Sequence, residues 1–247
     1  MQSLESFEKS LQHRTIAVIG GGVTGEGVIR FLQSIGITPI VVDEKSQEIL
    51  GIPTIKQSPK CDLAILSPGW QTTHPIIAEL RSRGTEILSE IDFAWRIKEE
   101  RAPTQRWIAI TGTNGKTTTT QMVESIFNSS KSRAAVCGNV GRTVVEVVAE
   151  STPFEFLAIE LSSFQIEWSN EAEFAASAIL NIAEDHVDWH GSFEEYAKAK
   201  LKLLAHSKIA ILNGDDPEVA LRATAVSGKK IIYSLDTPAP GEIGLVE

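Results

Sequence analysis

Arg106-Trp107-Ile108-Ala109-Ile110-Thr111-Gly112-Thr113-Asn114-Gly115-Lys116-Thr117-Thr118 decides how this chain is read. An apolar, isoleucine-rich run breaks into two glycines, a lysine and a series of threonines. Met122, Val123, Ile126 and Phe127 then recur at helical spacing, so the lysine stands at a strand-to-helix turn. Backbone N–H groups of such a loop wrap a phosphate, and the helix N-terminus adds a favourable dipole. Gly112, Thr113, Asn114, Gly115, Lys116, Thr117 and Thr118 are therefore candidates for binding ATP. Lys116 would place a point charge on the outer phosphates, and the Thr117 hydroxyl would ligate Mg²⁺. The spacing is not the usual one, because the position five residues before Gly115 is Ile110 rather than glycine.

Size and composition bound the rest. The chain has 247 residues, 42% of them hydrophobic, and a net charge of −9. That suits one large or two ordinary α/β domains and gives no basic footprint for nucleic acid or anionic membranes. Cys61 and Cys137 form no metal or redox pattern, which fits a reducing compartment. No apolar run reaches membrane-spanning length, and the start, MQSLESFEKSLQHR, is too polar for a signal peptide. The expectation is a cytoplasmic protein.

Outward from the loop, strands and helices alternate on both sides. Thr15–Gly20, Thr38–Asp43, Leu63–Ser67 and Glu86–Leu88 read as strands, with helices near Thr24–Ile35 and Pro75–Ser82. After a charged, proline-containing segment, Lys98–Arg106, which reads as a linker, strands are predicted at Trp107–Ile110, Ala134–Cys137, Phe156–Glu160, Ala176–Asn181, Ile209–Asn213 and Ile231–Tyr233. The predicted class is α/β: a Rossmann-like parallel-sheet domain over 1–102, then a phosphate-loop ATPase-type domain, expected to be incomplete, over 103–247.

In the first half, Gly20-Gly21-Gly22-Val23-Thr24-Gly25 fits G-x-G-x-x-G between a strand and a helix, and the next strand ends in Asp43. That predicts a nucleotide or other diphosphate, with NAD, FAD and a nucleotide sugar all open. Ser67-Pro68-Gly69 follows the third strand and either lines the same crevice or is an ordinary turn.

In the second half, Glu160 closes an apolar run and is either a Mg²⁺ ligand beside the phosphates or a solvent-facing acid. Asn181-Ile182-Ala183-Glu184-Asp185-His186-Val187-Asp188-Trp189-His190 gathers acids and two histidines after another strand. Without the glutamate of H-E-x-x-H it reads as a nucleotide–metal loop rather than a zinc site. His13, His74 and His206 default to surface or core roles. Ser192–His206 reads as a helix capped by Ser192, with Glu195 at the capping-box position. Lys200 lies within its apolar face; an inward lysine pairs, snorkels or loses its proton.

Taken together these residues resemble the Mur ligase family. The resemblance runs through Gly22-Val23-Thr24-Gly25, Ser67-Pro68-Gly69, Thr111–Thr118, Gly138-Asn139-Val140-Gly141, Glu160-Leu161-Ser162-Ser163-Phe164-Gln165, Glu184-Asp185-His186, Tyr196–Leu201 and Asn213-Gly214-Asp215-Asp216, and covers nearly the whole chain. The Glu160–Gln165 run is similar to that of the D-glutamate-adding branch. The resemblance implies ATP-dependent amide-bond formation between UDP-N-acetylmuramoyl-L-alanine and D-glutamate, through an acyl phosphate. It implies Lys116, Glu160, His186 and Lys200 as the catalytic set, and Thr117, Glu160, His186 and Lys200 around Mg²⁺, with Lys200 carbamylated. It implies pyrophosphate at Val23 and Thr24, uracil near Asp43, and a basic contact from Lys45. Ser67, Pro68, Gly69, Asn139, Ser162 and His186 complete the substrate side.

Such enzymes carry a third, C-terminal domain, and this chain stops before one. The expectation is a monomeric fragment that keeps affinity for the UDP precursor and lacks turnover alone. Rival readings are another ligase of the family, a folylpolyglutamate synthetase-like ligase, an NAD-dependent oxidoreductase built on the first glycine turn, and a non-catalytic nucleotide-binding module.

Overall fold

The computed structural model describes residues 6–224 and 227–246; residues 1–5 of the polar start, 225–226 and 247 lie outside them. Packing divides the chain into two compact units, residues 1–103 with 143–153, and residues 104–142 with 154–247. No helix among the described residues is long and apolar enough to cross a membrane.

The first unit runs α1 (Phe7–Leu11), β1 (Ile16–Ile19), α2 (Val23–Ser34), β2 (Ile40–Val42), β3 (Glu48–Ile49), β4 (Ile52–Ile55), β5 (Leu63–Leu66), α3 (Pro75–Ser82), β6 (Glu86–Ser89) and α4 (Glu90–Arg101). Its sheet has the order β3-β4-β2-β1-β5-β6. All pairs are parallel except β3 with β4. Every residue of β1 and β5 is buried, as befits central strands covered on both faces. The chain moves outward from β1 to β2 and β4, then returns to β5 on the other side of β1. The carboxyl ends of β1 and β5 therefore open a crevice where the strand order reverses.

The segment Lys98–Arg106 is not a linker throughout. Lys98–Arg101 form the last turn of α4, and Arg106 already belongs to the next strand. Lys98 is 3% exposed, with its amine on Pro103 O (3.2 Å) and over the Trp95 ring (4.3 Å). The two cations of that last turn, Lys98 and Arg101, suit a helix C-terminus.

The second unit begins with β7 (Arg106–Thr111), α5 (Lys116–Ser129) and β8 (Ala134–Gly138). The chain then contributes α6 (Val144–Val148) to the first unit, where all four valines are buried and the Glu90 carboxylate accepts from Val145 N at 2.8 Å. It returns with β9 (Phe156–Glu160), α7 (Ser163–Trp168), β10 (Ala176–Ile179), α8 (Val187–His190), α9 (Phe193–Ala205), β11 (Ile209–Asn213), α10 (Pro217–Ala223) and β12 (Lys229–Tyr233). The sheet order is β12-β11-β10-β7-β9-β8, parallel throughout. Apolar layers cover both faces. Val123 of α5 packs on Ile110, Ala158 and Ala178, while Tyr196, Ala197 and Leu204 of α9 pack on Ile179 and Leu212. β7 lies between β9 and β10, so the loop after β7 is flanked by the carboxyl ends of both.

Candidate active site

In the first unit the glycine turn is built for close approach. Gly20 takes φ +95, and a Cβ on Gly25 would come within 1.9 Å of Gly20 O, so α2 can meet β1 only through glycine. Ser67 Oγ donates to Gly20 O at 2.8 Å, joining the turns after β1 and β5. Asp43 Oδ2 accepts from Gly21 N (2.9 Å), and its Oδ1 from Lys45 N (2.9 Å) and Ser46 N (2.7 Å). Partial burial works to raise the Asp43 pKa, but the Ser46, Gly21 and Lys45 donors outweigh it and hold the carboxyl below its usual range. Asp43 thus organises two loops at the crevice. Val23, 72% exposed, and Thr24 open α2, whose first-turn N–H groups face outward from Gly22. The Lys45 side chain is exposed. A wall that the sequence did not announce stands here: Trp70 pairs edge-on with His74 (4.4 Å), and His74 Nε2 lies 3.4 Å from Glu44.

In the second unit the phosphate loop is braced from β10. Thr113 N donates to Asn181 O (3.1 Å), Asn114 N donates to Asn181 Oδ1 (2.8 Å), and Asn181 Nδ2 donates back to Asn114 O (3.0 Å). Gly115 caps α5 at φ 80, and the first i→i−4 bond is Thr119 N to Gly115 O. The N–H groups of Lys116, Thr117 and Thr118 precede that bond, an arrangement that favours an anion at a helix N-terminus. The Lys116 amine donates to Gly112 O (3.0 Å) and Thr113 O (2.9 Å).

Glu160 is 1% exposed at the end of β9. Its Oε2 accepts from the Thr117 hydroxyl at 2.7 Å and its Oε1 from Asn139 Nδ2 at 3.0 Å. A buried carboxylate with a neutral donor on each oxygen, one of them the loop hydroxyl, is the donor set a hard cation seeks. Thr117 and Glu160 therefore fit Mg²⁺. Among the described residues no three His, Cys, Asp or Glu side chains group to hold a metal.

Lys200 and His186 are the other expected metal-side residues. Lys200 is 2% exposed, with its amine 3.1 Å from Gly112 O and over the Tyr196 ring at 4.6 Å. Burial first, then the Lys116 charge, push its pKa down to about 7, against a pull upward from Asp185. His186 opens α8 at φ 50, packs on Phe164 (4.8 Å) and lies 3.5 Å from Asp185 Oδ2. Ser162 caps α7: its Oγ accepts from Gln165 N (3.2 Å), and Gln165 Oε1 accepts from Ser162 N (3.0 Å). Sequence reading missed Asn181 as a brace, Tyr196, whose OH meets Thr113 Oγ1 at 3.0 Å, and His190 on Ser163 at 2.9 Å. Burial, then Lys200 and His186, hold the His190 pKa below its ordinary value. A cavity of about 370 Å³ opens at the carboxyl ends of β11 and β12, beside Asn213, Gly214, Asp215 and Ser234.

Two predominantly parallel sheets with flanking helices define an α/β class, and residues 110–243 match the Mur ligase middle domain. The chain belongs to the Mur ligase family. It is similar to a Thermobifida fusca (strain YX) protein named UDP-N-acetylmuramoylalanine–D-glutamate ligase, at 38% identity over 96% of this chain and 55% of that protein. The chain spans about half the length of the curated relatives it matches. Its fold is similar to that of the Neisseria meningitides UDP-N-acetylmuramate:L-alanyl-gamma-D-glutamyl-meso-diaminopimelate ligase (TM-score 0.60, 14% identity, 89% of this chain and 78% of that one). A Thermotoga maritima MurF ligase in complex with ADP is a further neighbour (TM-score 0.50, 18% identity, 71% of this chain and 42% of that one).

Proposed function

We propose that this chain carries the nucleotide- and UDP-substrate-binding parts of a cytoplasmic, ATP-dependent ligase that joins D-glutamate to UDP-N-acetylmuramoyl-L-alanine. The observation that carries the reading is the Thr117–Glu160 pair at the mouth of a lysine-bearing phosphate loop. The similarity to the Thermobifida fusca ligase supports the choice of substrates.

In this reading the L-alanyl carboxylate attacks the γ-phosphorus of ATP, and ADP departs. The amine of D-glutamate then adds to the acyl carbon, loses a proton, and phosphate is expelled. The N–H groups opening α5 orient the phosphates, and Lys116 leaves its loop carbonyls to meet the charge on the transferring group. Bound Mg²⁺ would supply further neutralisation of phosphate charge. Thr117 and Glu160 would hold it, with Asn139 keeping the carboxylate in place.

Lys200 serves as a modified residue in the same reading. With its pKa near 7, most Lys200 is neutral amine at pH 8. The amine adds to CO₂, a proton leaves, and an anionic carbamate replaces the buried neutral amine, where it can offset the Lys116 charge. A ¹³C carbamate resonance is expected from the chain in ¹³C-bicarbonate at pH 8, absent from Lys200→Ala. A spectrum identical for both proteins would remove this part of the reading.

The first unit is tested by calorimetric titration with UDP-N-acetylmuramoyl-L-alanine and, separately, NADH. Saturable heat with the UDP substrate alone is expected. Binding of NADH alone would support the oxidoreductase reading instead.

A further inference from the structure

We infer that His190 is a positioning residue for His186, acting through an aromatic clasp closed on Phe164; this rests on the nucleotide–metal reading above. His186 takes a left-handed backbone at φ 50, shared among described non-glycine residues only with Leu50 and Lys131. That conformation costs a side-chain-bearing residue about 1 kcal/mol or more, so the surroundings must enforce it. Its own helix cannot. α8 is one turn long and is closed at once by Gly191, at φ 85, whose N–H donates to Val187 O at 2.7 Å. A single turn does not offset the entropy of its own nucleation.

His190 supplies what the turn lacks. Its Nε2 lies 2.9 Å from the hydroxyl of Ser163, which is 2% exposed. Its ring stacks on Phe164 at 5.5 Å and 19°, and meets Tyr196 edge-on at 5.5 Å. Phe164 in turn touches His186 at 4.8 Å and Trp189 at 4.6 Å. Ser163 and Phe164 follow directly from Glu160 through the capped start of α7, and Tyr196 bonds Thr113 of the phosphate loop. One imidazole thereby ties the His186 turn to both the Glu160 run and the phosphate loop. Ser163 lies 27 residues away in sequence, so that bond fixes a long-range register rather than a local turn.

The test follows free Mn²⁺ by EPR while this chain is titrated with Mn²⁺ and a non-hydrolysable ATP analogue. Four proteins are compared with the unaltered chain: His190→Ala, His190→Gln, His186→Ala and the double alanine variant. Residues that orient a metal-side group typically change metal affinity by about ten- to a hundredfold. His190→Ala is expected to weaken Mn²⁺–nucleotide binding roughly tenfold. His190→Gln, which keeps a polar atom for Ser163, is expected to recover most of it. In the His186→Ala background, removing His190 is expected to add nothing, the signature of two residues acting as one. Thermal melts without metal report any general loss of folding. Unchanged affinity in His190→Ala, or the full loss recurring without His186, overturns the inference while leaving the wider reading intact. No Mn²⁺–nucleotide binding by the unaltered chain overturns both.

Discussion

Lys116→Ala is expected to weaken Mg²⁺·ATP binding by at least about a hundredfold, because truncating one partner of a charge-assisted contact removes both the attraction and the compensation of a desolvated anion. The amine sits on two carbonyls of its own loop, Gly112 O and Thr113 O, contacts that a phosphate can replace. The loop itself does not depend on it. Asn181 braces Thr113 and Asn114, and Gly115 sets the left-handed entry to α5. The variant should melt within a degree or two of the parent, and binding of UDP-N-acetylmuramoyl-L-alanine should be unchanged. Calorimetry with a non-hydrolysable ATP analogue checks this; an affinity within threefold of the parent would remove Lys116 from the nucleotide site.

Glu160→Gln separates charge from shape. Gln is isosteric, can accept from Asn139 and can donate to the Thr117 hydroxyl, so both bonds to Glu160 have a replacement. What disappears is a negative charge buried at 1% exposure and held by neutral groups. Such a charge is costly unless a cation compensates it. Without metal, Glu160→Gln should therefore be as stable as the parent or more so. With Mg²⁺ it should lose most of the metal-dependent gain in nucleotide affinity, about tenfold to a hundredfold. Equal Mg²⁺ dependence in both proteins would show that Glu160 is a structural acid.

The central strands were legible because β1 and β5 are short apolar runs buried on both faces and β7 carries apolar residues into the phosphate loop. The end of helix α4 reads as a linker because Lys98–Arg101 combine the composition of a linker with the geometry of a helix end. α6 and α7 are too short to show periodicity. Their capping boxes, Thr143 with Glu146 and Ser162 with Gln165, are the readable signal. The same pattern at Ser192 misleads in part: Ser192 caps α9, but the Glu195 carboxylate accepts from Lys198 Nζ at 2.8 Å.

Within the candidate site, spacing exposes Lys116, Thr117 and the inward side of Lys200, since each follows from a local pattern. It does not expose Asn181 or His190. Their partners are reached only once β10 lies beside β7 and α7 packs on α9, and strand order is not written in any single stretch.

The most direct test of the account is a calorimetric titration of this chain with a non-hydrolysable ATP analogue, with and without Mg²⁺. Saturable binding at one site, strengthened by Mg²⁺ and abolished in Lys116→Ala, is the predicted result. Binding that ignores Mg²⁺ and survives Lys116→Ala, or no saturable heat at all, would contradict it.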